Sequence, residues 1–274
     1  LIGLSAGEMA ARRSLFRGIT ARVPSLQKVV WPLIIGVCLQ LGLSAITAKK
    51  IDLGRHKPSS LRKDLPDEGR NVAFYITGHG LGHASRSVQV IKALRARGFN
   101  VTVVSVAPQT FFDTEIPEVP VRRIEIDSGA HQAGPLEVDV LKSLENYHEK
   151  IHKNRVAIIH REAQWLEANS ISIVIGDAAP LAFRAAKAAR APCLAVCVSN
   201  FTWDTVYTAM LADLKARLAG PGGAALARGM AVPLADLEAM VAACAEDHEA
   251  LDLMALLPGE GPVPGAAGGG GGGG

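Results

Sequence analysis

Five short apolar runs, at residues 72–76, 101–106, 121–126, 171–175 and 193–198, are rich in valine and isoleucine and end in turn-forming or polar residues. Runs of this length without polar alternation belong to strands buried on both faces, as in a parallel sheet. Between them the spacing predicts helices. Residues 84–97 put Val88, Ile91 and Leu94 on one face and stop at Gly98; residues 136–168 carry Leu141, Leu144, Tyr147, Ile151, Ile158 and Trp165 near helical intervals. Leu181, Ala185 and Ala189 mark a third helix, closed by Pro192. Strands alternating with helices give an α/β fold, a parallel sheet covered on both faces by right-handed crossovers. In the usual strand order, 3-2-1-4-5, strands one and four are neighbours where the winding reverses, and ligands bind beyond their carboxyl ends. That order sets the loop at 77–83, after strand one, opposite Asp177, which closes strand four.

The loop after strand one reads Gly78-His79-Gly80-Leu81-Gly82-His83-Ala84-Ser85-Arg86. Its three glycines let backbone amides come close to a ligand, and the helix that follows offers its positive end to anionic groups. It is not a dinucleotide fingerprint, because His83 stands where the third glycine is needed and Pro108 and Gln109 stand where a ribose-binding acid belongs; nor is it a P-loop, since no Gly-Lys-Ser/Thr follows. At a helix start the dipole favours a neutral imidazole, so His83 is the candidate base, with His79 earlier in the same loop. Arg86 opposes the dipole in the first turn, which calls for a charged partner such as a phosphate or carboxylate, unless it is simply solvated.

Other polar groups fall at the same edge. Asp127, His131 and Gln132 follow strand three, and Asn200, Trp203 and Asp204 follow strand five. Aromatic and carboxylate groups together suit a sugar, which offers an apolar ring face and hydroxyls, although capping of the next helix by Asn200 or Asp204 explains them equally well. The candidate ligand-binding set is therefore Gly78, His79, Gly80, Gly82, Arg86, Asp127, His131, Gln132, Asp177, Asn200, Trp203 and Asp204. His148 and His152 have no acid at a metal-binding spacing and read as surface residues, so no metal is assigned. Cys193 and Cys197 lie four apart, on one face of a strand, and read as core thiols.

Charge and composition bound the remainder. The chain has 274 residues and a formal net charge of +3, but residues 1–70 hold 12 Lys+Arg against 5 Asp+Glu, leaving 17 against 21 for the rest. A mildly acidic body excludes a nucleic-acid surface, which needs a clustered basic face. The 29–46 stretch is apolar and about long enough to span a bilayer, with basic residues on both sides. A membrane anchor, an organelle-targeting region, a core helix and translated non-coding sequence compete for it; the anchor is the expectation, on a protein otherwise of the cytoplasm. Residues 51–70 read as a linker, 71–264 as the folded domain and 265–274 as a glycine-rich tail, with an Ala/Gly-rich insertion near 213–235. The leucine at position 1 and the glycine run at the other end read as those of a fragment.

Taken in order, the loop at 78–86, the Asp127-Ser-Gly-Ala-His-Gln stretch, Gly176-Asp-Ala-Ala-Pro, Ser199-Asn-Phe-Thr-Trp-Asp, Ala245-Glu-Asp-His and Leu257-Pro-Gly-Glu-Gly-Pro-Val-Pro carry a resemblance. They are similar to the glycosyltransferase-like N-terminal region of plant L-arabinokinases and to stand-alone proteins of photosynthetic bacteria. The resemblance covers about residues 71–264. It implies a Rossmann-like domain that forms the N-terminal half of a GT-B glycosyltransferase. That half holds a sugar or sugar-bearing acceptor and a base after strand one, the role that falls by position to His83. A nucleotide-sugar would sit in a second half. ATP would serve a separate C-terminal GHMP-type kinase domain, which phosphorylates L-arabinose and whose Gly-Ser-Ser-Ala loop this sequence lacks. No cofactor is therefore assigned to the chain, and the implied partners are those further domains. Two alternatives stand beside this reading: a non-catalytic sugar-binding module, and the acceptor half of a split, membrane-anchored transferase.

Overall fold

The computed structural model describes residues 70–134, 137–190, 193–199 and 202–255. The apolar stretch at 29–46, the linker, the glycine-rich tail, Asn200 and Pro192 lie outside them. Among the described residues no helix is long and apolar enough to cross a membrane.

Six strands among the described residues form one parallel sheet: β1 (Asn71–Ile76), β2 (Asn100–Val104), β3 (Val121–Arg122), β6 (Ile173–Asp177), β7 (Leu194–Cys197) and β8 (Leu253–Met254). Their spatial order is β3-β2-β1-β6-β7-β8, so the chain winds outward one way from β1 and then returns to continue the other way from β6. The reversal predicted from the sequence is thus at β1 and β6, in a register that sets Ile76 opposite Asp177. A hairpin of β4 (His131–Gln132) and β5 (Val138–Asp139) stands apart from the sheet. The helices are α1 (Leu81–Arg95), α2 (Gln109–Glu115), α3 (Val140–Lys150), α4 (Arg155–Ala168), α5 (Pro180–Ala188), α6 (Trp203–Ala219), α7 (Gly223–Gly229) and α8 (Leu234–Glu249).

Alternation along β1 divides the interior in two. Val72, Phe74 and Ile76 pack with Val88, Ile91 and Leu94 of α1 and Phe112 of α2. Ala73 and Tyr75 face the opposite way, into a larger core that holds Leu144, Leu166, Leu181, Tyr207, Leu214 and Met240 from α3, α4, α5, α6 and α8. Each large side chain buried there contributes about 1.5–3 kcal/mol. Cys193 and Cys197 share this core, as their spacing requires, and the fold pushes their thiols up to about 11 and about 12 by burial, which leaves them inert.

Two buried carboxylates tie the layers together. Glu162 of α4 accepts from Tyr75 Oη at 3.0 Å and from Arg122 Nη2 at 3.0 Å, with a second, short bond from Arg122 Nη1, while Arg122 stacks over Trp165. Asp247 of α8 accepts from Arg155 Nε at 2.9 Å and Arg184 Nε at 3.1 Å, joining α4, α5 and α8.

Several expected boundaries move, each for a local reason. The fourth strand starts at Ile173 because Ile171 N–H still bonds back to Leu166 O, closing α4 through Ser170 at φ 49°. The third strand pairs over two residues only, since β2 ends at Val104 and the last bond, Ser105 N–H to Arg122 O, leaves 123–126 without a neighbour in the sheet. The helix expected over 136–168 is two helices, broken by a 3-10 turn at His152–Asn154. His148 and His152 sit at that break half-buried, with ring centroids 5.5 Å apart, rather than on open surface. The Ala/Gly-rich stretch near 213–235 is largely helical and supplies Leu214 and Val232 to the core.

Candidate functional site

The site grows from the end of β1. Gly78 packs so tightly on the loop after β2 that a Cβ there would strike Val106. Gly80 then takes φ +74° as the N-cap of α1, a conformation that favours glycine, and no side chain caps the first helical turn. Gly82 differs from both: a Cβ on it would meet nothing within 4 Å. Packing does not require a glycine there, and glycine in a helix costs up to about 1 kcal/mol relative to alanine. Gly82→Ala is therefore expected to raise the melting temperature slightly while weakening any ligand that approaches the first-turn amides. A thermal melt paired with a binding isotherm checks both halves.

His83 and Asp177 meet across the strand reversal. His83 Nδ1 is 2.9 Å from Asp177 Oδ1, and Asp177 is fully buried. An ionised carboxylate only accepts, so this contact calls for a proton on Nδ1 and a lone pair on Nε2, whereas Arg86 Nη2, a donor only, lies 3.0 Å from the same Nδ1 and calls for the opposite tautomer. Arg86, one turn further along α1, reaches the same carboxylate with Nε at 3.2 Å from Oδ2 and with a short bond from Nη2 to Oδ1. Ser87 Oγ donates to Oδ2 at 2.8 Å. The charged partner that Arg86 called for is thus the protein's own Asp177. Arg86 Nη2 lies 3.5 Å from Ser199 Oγ, beyond the end of β7.

A second cluster lies beside the first. Thr77 Oγ1 donates to Asp127 Oδ1 at 2.7 Å and accepts from Trp203 Nε1 at 3.1 Å and from His79 N–H at 3.3 Å. The His79 ring stands edge-on to Trp203, with centroids 5.4 Å apart, and rests on Gly129, where φ is +60° and a Cβ would collide with the imidazole. Burial and the neighbouring charge of His83 lower the His79 pKa. Trp203 is only 3% exposed and stacks on Tyr207, so it forms the wall of the site rather than an open platform for a sugar ring.

Asp127 is held at a cost. Burial raises its pKa to about 6; bonds from Thr77 and the Gly129 amide and the charge of His83 pull the other way. A carboxyl whose folded pKa lies above its unfolded one stabilises the fold most at low pH and loses that contribution as pH rises from about 4 to about 6. Asp127→Asn is accordingly expected to be more stable than the wild type by about 1–3 kcal/mol at pH 8, with the difference vanishing near pH 4. Urea denaturation of both proteins at the two pH values measures it.

The remaining candidates separate from these clusters. His131 and Gln132 are exposed on the hairpin, where the His131 amide donates to Ser143 Oγ. Asp204 turns away from the histidines: it accepts from Thr202 Oγ1 and pairs with His248 Nδ1 of α8 at 3.3 Å. Sequence reasoning missed Thr77, Ser87 and Ser199. Ser87 stands four residues after His83 on the same face of α1, a signal that was present; Thr77 directly follows the end of β1 and Ser199 lies two residues past the end of β7.

Strand order and site position together define a doubly wound, Rossmann-like α/β domain with its polar site at the switch point. No protein-family model matches the chain. L-arabinokinase of Arabidopsis thaliana is 44% identical to it over 137 residues, which are 49% of this chain and 13% of that protein. The motif resemblance is thereby found at the level of sequence, over a small part of the relative's length. Among solved structures, MurG of Acinetobacter baumannii is 16% identical, with a TM-score of 0.31 over 48% of this chain and 35% of its own. The calicheamicin glycosyltransferase CalG4 is 20% identical, with a TM-score of 0.35 over 65% of this chain and 42% of its own.

Proposed function

We propose that residues 71–255 form the acceptor side of a glycosyltransferase-like, sugar-handling domain of an L-arabinokinase-type protein, with His83 as its base. The observation that supports this is the contact of His83 Nδ1 with the buried Asp177 at the strand reversal; in the tautomer protonated at Nδ1 it leaves a proton-accepting Nε2 at the head of α1. A sugar hydroxyl bonded to Nε2 would give up its proton as its oxygen attacks the anomeric carbon of a nucleotide-sugar. The new C–O bond forms as the bond to the nucleotide breaks, and the imidazolium is stabilised through Nδ1–H by Asp177. The amides of the first turn of α1 and the helix dipole favour an anionic or hydroxyl-rich ligand at the same place. The nucleotide-sugar would be held by a second α/β half, and phosphorylation of L-arabinose would belong to a further domain.

One observation favours a second reading, sugar binding without turnover. Arg86 bonds both oxygens of Asp177, so the carboxylate is already neutralised and has less charge to offer an imidazolium. Calorimetry of the full chain against L-arabinose and UDP-glucose tests what the readings share. Saturable heat with either supports a sugar site, and no heat with either contradicts both.

A further inference from the structure

Thr77 is fully buried, and its hydroxyl is a junction between three chain segments that are distant in sequence. Its partners fix the direction of every bond. His79 N–H and Trp203 Nε1–H can only donate, so the two lone pairs of the hydroxyl receive them, and its single proton must go to Asp127 Oδ1. No capacity of the hydroxyl is left over. Its backbone N–H adds a fourth tie, to Asp177 O at 3.3 Å, the residue that orients His83.

The junction borders the half-buried His79. The imidazole meets Trp203 edge-on and rests on Gly129, and both contacts lead back to the Thr77 hydroxyl: Trp203 directly, Gly129 through its backbone amide bond to Asp127. The His79 backbone is held by the same oxygen. The loop that carries His79 is therefore tied through one hydroxyl group to the loops after β3 and β7.

We propose that Thr77 is a positioning residue of the site, whose hydroxyl locks the loops after β1, β3 and β7 and thereby sets the orientation of the His79 imidazole. The proposal deepens the sugar-site reading but does not need it, since the locked geometry exists without a ligand. The charged and titratable groups that face Asp127 within this knot are His83 of α1, Glu125 on its own segment, Tyr207 of α6 and Cys244 of α8.

Thr77→Val keeps the shape of the side chain and deletes the hydroxyl that Asp127, Trp203 and the His79 amide share, whereas Thr77→Ser keeps it. The test follows the imidazole Cε1–H signals of the full chain by NMR as pH is varied, with no ligand present. In Thr77→Val the His79 midpoint is expected to move up toward the ordinary histidine value as the ring leaves these contacts. Thr77→Ser should restore it. If Thr77→Val does not fold, Trp203→Phe, which keeps a ring and removes only the indole donor, should produce the same upward movement to a smaller extent. A variant that melts earlier while the His79 titration stays at its wild-type position would overturn the proposal, because the hydroxyl would then be structural only. Failure of L-arabinose to bind leaves these titrations unaffected, so the two readings fail separately.

Discussion

Glu162→Ala is expected to lower stability by about 3–5 kcal/mol, toward the lower figure because Arg122 retains some contact with water. The mutation removes at once the acceptor of Tyr75 Oη, of both Arg122 arms and of the exposed Arg161 Nε. Tyr75 Oη, at the centre of the sheet, is left with its proton unpaired, and Arg122 loses both arms of a bidentate bond. The Arg122 guanidinium keeps its stacking on Trp165 but becomes an uncompensated charge over the core. Coulomb attraction is not the main source of the loss. The price of stranding partners in a dry interior exceeds the net worth of the pair, so replacing Glu162 and Arg122 together by leucine should recover much of the deficit. Chemical denaturation of the single and double variants decides this. A double variant as unstable as Glu162→Ala would show that the pair itself, rather than its orphaned half, holds the sheet to α4.

The second large effect concerns the chemistry. In a transferase completed by its donor half, His83→Ala should reduce sugar transfer by roughly two to four orders of magnitude, the range for loss of a general base. Asp177→Asn should also fall, for a different reason: an amide in place of the carboxylate no longer favours the tautomer protonated at Nδ1 and loses the charge opposite Arg86. Because Asp177 is fully buried and bonded by His83, Arg86 and Ser87, that variant is expected to melt earlier too, while His83→Ala, whose side chain is partly exposed, should melt close to the wild type. A transfer rate unchanged in His83→Ala removes it as the base and leaves the binding module as the better reading.

How far the sequence reaches can be judged from particular residues. The switch point was legible because continuous apolar strands and intervening helices permit few windings, and the pairing of β1 with β6 places Asp177 across from the histidine loop as that winding requires. Arg86 was legible as a cation in need of a partner, but nothing local says that the partner is Asp177, 91 residues away. β8 was not legible, since two residues, Leu253 and Met254, carry no period. Trp203 and Asp204 drew notice for their chemistry, yet tertiary packing turns one into a wall behind His79 and the other toward His248. Thr77 was overlooked for the opposite reason. A threonine at a strand end is ordinary, and only the convergence of three distant segments on its oxygen makes it distinctive.

The central claim is that His83, oriented by Asp177, faces a sugar at the head of α1. The most direct measurement is the imidazole Cε1–H signal of His83 in the full chain during titration with L-arabinose, repeated with Gly82→Ala. The expected result is a saturable displacement of that signal, weaker in the variant, with the exposed His160 unmoved. A His83 signal that stays fixed while calorimetry records binding, or that stays fixed with both L-arabinose and UDP-glucose, would contradict the claim.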